Sequence, residues 1–182
     1  MKIYTKLTAI AAASTLAMAS QTAWAAGDVA SDNAGASATI ITPITLTKDT
    51  DMDFAEVIAT AEGGTVVLTA SATPSLTATG VSAGQGGAAA AAKFTVGGQT
   101  GYTYAISFPA PTATLTHSGG SATMTVNNFT ASFADNITTL GGHTLSATAA
   151  SNAFYVGGTL NVGPDQLAGT YTGTVSVSAN YE

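Results

Sequence analysis

The sequence predicts an all-β antiparallel sandwich, and three observations carry that expectation. Apolar and polar residues alternate with period two through most of the chain beyond residue 35, and no stretch repeats with a helical period. The alternating runs are short and are separated by Gly, Pro and Asn turns. The clearest run is the last: Gly169, Tyr171, Gly173, Val175, Val177, Ala179 and Tyr181 alternate with polar residues to the end of the chain. At about 3.3 Å per residue such a run would reach roughly 45 Å. It is expected to bend at Gly173, to cross most of the domain and to be its central strand.

Residues 1–25 read as a cleaved signal peptide. Lys2 and Lys6 give a positive start, residues 7–18 form an apolar run too short to span a bilayer, and Ala23-Trp24-Ala25 is a small-residue cleavage site. Export by the Sec pathway to the periplasm, cell surface or medium follows as an expectation. Residues 26–35 are small and polar and read as a flexible arm, and residues 36–182 as the β-sandwich domain. Within it Ala36, Ala38, Ile40, Ile44 and Leu46 share one face of a strand that Pro43 makes an edge or breaks in two. A turn at residues 48–51 leads to a short strand over 52–58. After a Glu62-Gly63-Gly64 turn, Val66, Leu68, Leu76 and Ala78 keep one phase, and residues 79–92 are a Gly- and Ala-rich loop.

Phe94 and Val96 resume a strand, and Tyr102, Tyr104, Ile106 and Phe108 mark a core strand that Pro109 ends. Ala113 and Leu115, a Ser118-Gly119-Gly120 turn, then Met124 and Val126 predict a hairpin. At Asn127-Asn128 the apolar phase slips by one, to Phe129, Ala131 and Phe133, the pattern of a β-bulge. Phe154, Val156, Leu160 and Val162 form the next strand.

Composition excludes several functions. There is no Arg, and the formal charge is −6, or −8 once Lys2 and Lys6 leave with the signal peptide. Nucleic acid and anionic lipid both require a basic footprint, and no later segment is apolar enough to enter a membrane. Without Cys, stability rests on core packing and the backbone ladder. A Thr-rich surface this poor in charge suits a protein in contact with copies of itself.

Candidate chemistry is thin, and no catalytic residue, metal site or cofactor is expected. Gly80-Val81-Ser82-Ala83-Gly84 fits G-x-S-x-G, and Asp135 and His143 follow in hydrolase order, but no strand-to-helix elbow surrounds the serine. Asp49, Asp51 and Asp53 resemble the start of a calcium loop that lacks its Gly and Glu. His117 and His143 sit in turns, and the Asn128 and Asn136 glycosylation triplets arise readily by chance in a Thr-rich chain. Tyr155 and Tyr171 could stack on a sugar, with cross-strand packing the ordinary role.

The stretches Ile44 to Val57 with Met52-Asp53-Phe54, Phe94-Thr95-Val96, Tyr102 to Pro109, and Phe154-Tyr155-Val156-Gly157-Gly158-Thr159-Leu160-Asn161-Val162 followed by Gln166, Gly169, Tyr171, Gly173 and Tyr181 resemble an exported bacterial β-sandwich family catalogued as a domain of unknown function. That family is akin to Mat/Ecp-type fimbrial subunits and spore coat protein U. The resemblance implies an immunoglobulin-like, pilin-like sandwich that lacks one strand and receives it from a neighbour. It also implies a C-terminal strand that borders the open groove and is held by a periplasmic chaperone, with Tyr181 as its penultimate aromatic. Two departures stand out: there is no Cys pair, and before Ala36 the arm has only Val29 as a large apolar residue.

Either residues 36–46 are the donated strand or the domain is complete by itself. The expected function is a non-catalytic structural subunit of a bacterial surface fibre or coat, partnered by copies of itself and a chaperone. Ala36, Ala38, Ile40, Ile44 and Leu46 would insert, and Tyr171, Val175, Val177 and Tyr181 would receive. The alternatives are a self-contained surface module for a glycan or protein, and a serine hydrolase acting through Ser82.

Overall fold

The computed structural model describes residues 31–133 and 138–182; the signal peptide, Asp135 and Asn136 lie outside them. Contacts divide the chain into Met1–Thr39 and a β domain, Ile40–Glu182. Residues 31–44 carry no regular structure. The strands of the domain are β1 (Thr45–Thr50), β2 (Val57–Ile58), β3 (Gly64–Leu68), β4 (Leu76–Thr79), β5 (Ser82–Ala83), β6 (Ala92–Gly97), β7 (Thr103–Ser107), β8 (Thr112–His117), β9 (Thr123–Phe133), β10 (His143–Thr144), β11 (Ala153–Val162), β12 (Tyr171–Thr172) and β13 (Ser178–Tyr181).

All pairings among them are antiparallel. The large sheet runs β1-β6-β11-β9-β8-β12, with the β3–β4 hairpin joined to the second half of β11. A three-stranded sheet, β10-β7-β13, packs over one part of it, and the β2–β5 pair is a small third piece.

β11 is the centre because it is the strand with occupied edges along its length. β9 flanks one side, and β6 and then β3 flank the other. Phe154 faces Phe94 and Phe133 at directly paired positions, with ring centroids 5.5 and 5.2 Å apart. Tyr104, on the central strand of the small sheet, meets Phe133 edge-on at 6.5 Å. This aromatic contact joins the sheets, and Val96, Ile106, Leu145 and Val156 pack around it. A second core of Val66, Leu68, Val126, Leu160 and Val162 lies under Phe54 and Val81.

The β8–β9 hairpin stands where the pattern placed it, as do Tyr104 and Ile106 on the core face of β7, whereas Tyr102 lies before β7 and is 43% exposed. The bulge is in place too: the β9–β11 register shifts between Gly157 and Thr159, opposite Asn128, whose φ of 49° is the left-handed conformation Asn tolerates.

Three expectations are corrected. Residues 169–182 are not one central strand. β12 pairs only with β8 and β13 only with β7, both at sheet edges, and residues 173–177 between them are in neither sheet. Gly173 marks the break: a side chain there would collide with the Thr114 carbonyl. The strand expected over residues 36–46 is reduced to Thr45 and Leu46 at the start of β1. Residues 52–58 keep only β2 and an isolated bridge between Asp53 and Ala90, because Ala55, at φ 54°, turns the backbone.

Two outcomes follow. Phe154→Ala removes the middle ring of the stack and should destabilise the domain by about 3–5 kcal/mol in denaturant melts. Burial holds the Tyr104 phenol above its ordinary pKa of 10.0, so the folded state favours the neutral form. The stability linked to it is present below about pH 10 and lost as pH rises through the folded value. The melting temperature should fall above about pH 10, and Tyr104→Phe should lessen that fall.

Candidate functional site: an open groove beside the C-terminal chain

Where the C-terminal chain leaves the large sheet, the second core reaches its rim: Val126, Leu160 and Val162 are buried, and Leu115, Met124 and Val175 partly buried. A groove of about 1060 Å³ opens there, at the upper end of the size of small-molecule sites. Its floor is the inward face of the large sheet: Phe94, Leu115, Met124, Val126, Leu160 and Val162. Residues 51–59 make one wall and residues 166–175 the other.

The two walls differ in how their backbones are satisfied. Asp53 and Ala90 exchange both backbone hydrogen bonds, and Glu56 holds the Gly84–Gly86 turn through its carbonyl and carboxylate. Across the groove, no backbone hydrogen bond joins residues 173–177 to any described residue. An extended chain laid in the groove would find both an apolar floor and free N–H and C=O groups.

Side chains stiffen the wall ahead of that segment. Tyr171 Oη donates to the Leu167 carbonyl at 2.7 Å and accepts from Gln166 Nε2 at 2.7 Å. His117 Nδ1 accepts from the Gly119 N–H at 2.9 Å, so Nε2 carries the proton and donates to the Ala168 carbonyl at 3.1 Å. The imidazole meets the Tyr171 ring edge-on, and a side chain at Gly169 would run into it. Tyr171 is thus a packing residue with its hydroxyl engaged, and His117 is a brace.

The expected receiving residues separate into two groups. Tyr171 and Val175 line the groove. Val177 and Tyr181 pack against the first core, where Tyr181 Oη donates to the Thr42 carbonyl and accepts from the Gln99 N–H, both at 2.7 Å. The Gln99 side chain in turn accepts from Thr42 N and Oγ1. The penultimate tyrosine therefore ties the approach to β1 onto the turn after β6.

The expected inserting residues also separate. Ile44 and Leu46 pack on the chain's own first core, whereas Ile40 is 97% exposed and Ala36 and Ala38 are exposed. The wall of residues 51–59 was not among the residues expected to receive. Its signal was Met52 and Phe54, two apolar residues astride an aspartate in a stretch too irregular for a strand.

The remaining candidates are dispersed. Asp49 accepts from Thr95 Oγ1, Asp51 pairs with Lys48, and Asp53 caps the Ala55 N–H. Among the described residues no group of three His, Asp or Glu side chains is placed to hold a metal. Ser82 lies on β5 opposite Ile58, while His143 stacks on Phe133 at 3.5 Å and bonds the Thr139 carbonyl. Asn128 forms the bulge.

Tyr181→Phe deletes both hydroxyl bonds and should cost about 1–2 kcal/mol. Amide exchange should quicken at Gln99, while residues 166–171 remain as in the parent.

No curated protein and no solved structure matches the chain. A family does, over residues 44–181, from the first residue of the approach to β1 that packs on the core to the tyrosine that secures it. The chain belongs to the family described as Domain of unknown function (DUF4402).

Proposed function

We propose that this chain is a non-catalytic structural subunit of a bacterial surface fibre or coat, completed by strand addition between copies after export. The groove of one copy receives an extended segment of another, drawn from residues 31–41. The observation that carries the reading is the coincidence of an apolar floor with the unbonded backbone of residues 173–175 in its wall. Unpaired backbone amides beside an apolar floor are what strand addition uses.

The inserting segment ends before Thr42, because Thr42 is held by Tyr181 and Gln99 and because Ile44 and Leu46 pack on their own domain. Ala36, Ala38 and Ile40 alternate toward one side. Ile40 is the one large anchor among them, and its full burial would contribute about 1.5–3 kcal/mol. Backbone pairing supplies the rest, so an open subunit suits a periplasmic chaperone that shields the groove before assembly.

Deleting residues 31–41 while keeping the signal peptide and its cleavage site should abolish fibres and SDS-resistant ladders in negative-stain and gel assays, with the β-rich circular dichroism retained. Fibres formed by the deleted chain would overturn the reading. A parent chain that stays a monomer would also overturn it, and would favour a self-contained module that takes a glycan or protein strand in the groove.

A further inference from the structure

The face of the large sheet turned away from the core carries a second regularity. Pairing registers align Thr79, Thr65, Asn161, Thr125 and Thr114 in one row across five strands, each directly opposite the next. Two residues along, Thr77, Val67, Thr159, Asn127 and Thr112 form a parallel row. A third, shorter row joins Thr123, Thr116 and Thr172. The residues between them, Val66, Val126 and Leu160 among others, face the core, so these rows face outward.

None of these side chains is charged, although the chain's formal net charge is −6. Val67, between Thr77 and Thr159 in the second row, is 41% exposed. Copies of an acidic protein repel wherever carboxylates meet, and a neutral face lets them approach without that cost. With strands about 4.8 Å apart and alternate residues about 6.7 Å apart, the rows cover about 420 Å² per copy. A pair would cover roughly 840 Å², below the roughly 1,000 Å² of a stable interface and the size of a weak one.

We infer that this threonine face is a lateral contact surface whose occupant is the same face of a second copy. The arrangement is isologous, with the two sheets about 10 Å apart and methyl groups and Val67 interleaved. One such contact is weak. Repeated along a fibre it becomes strong through effective concentration, and it would bind subunits side by side where the groove binds them end to end.

Charge swapping at Thr125 tests it in the full exported chain. Thr125→Glu and Thr125→Lys each place like charges across the contact and should weaken lateral pairing at least about tenfold in sedimentation velocity, with an unchanged thermal melt. An equimolar mixture of the two should restore pairing. In negative stain, parent fibres should bundle and fibres of either variant should lie singly at equal length. Loss of fibres themselves reads the groove; loss of bundling reads this face. Parent-like sedimentation of both variants, or a mixture that fails to recover, would overturn the inference.

Discussion

The stacked rings of Phe94, Phe154 and Phe133 are the contact on which the rest of the domain depends. They sit at directly opposed positions of β6, β11 and β9, and Tyr104 joins the small sheet to them. Large apolar residues are scarce in a chain so rich in Ala, Gly, Thr and Ser, so burial is concentrated where aromatic rings overlap. β11 supplies the middle ring and is the strand whose pairing to β9, β6 and β3 assembles the large sheet. With no Cys, the remaining cohesion comes from packing and the antiparallel ladder.

The groove follows from how the C-terminal chain is shared. Its first half must reach β8 and its second half β7, and these lie in different sheets. Five residues are spent on the crossing, and over that span the second core has no strand beside it. Tyr181 then secures the far end by reaching Thr42 and Gln99, so the open region is bounded by firmly held structure on both sides. An edge that is both apolar beneath and unpaired along its backbone favours addition of a strand, and its confinement to one short segment restricts which partner can satisfy it.

Much of this was legible in the residues and some was not, for physical reasons. The hairpin of β8 and β9, the core face of β7 and the bulge at Asn128 were readable because turn residues and phase slips are local signals. Period two in residues 169–182 was equally clear and misled, since alternation states which side chains face inward and says nothing of which strand, or which sheet, lies alongside. The sharing of this segment is a long-range fact, and Gly173 was its only local mark. Ala36, Ala38 and Ile40 alternate as a strand would, yet two small anchors and one large one do not bury enough surface to hold the segment within its own domain. The groove wall at Met52 and Phe54 was hidden by the break at Ala55.

Hydrogen exchange at residues 173–177 tests the central claim most directly. Their amides should exchange rapidly in the isolated subunit and become strongly protected when a synthetic peptide of residues 31–41 is added. A peptide with Ile40→Asp should protect them far less. Protection already complete in the subunit, or absent after peptide addition at saturating concentration, would contradict completion of this fold by a second copy's arm.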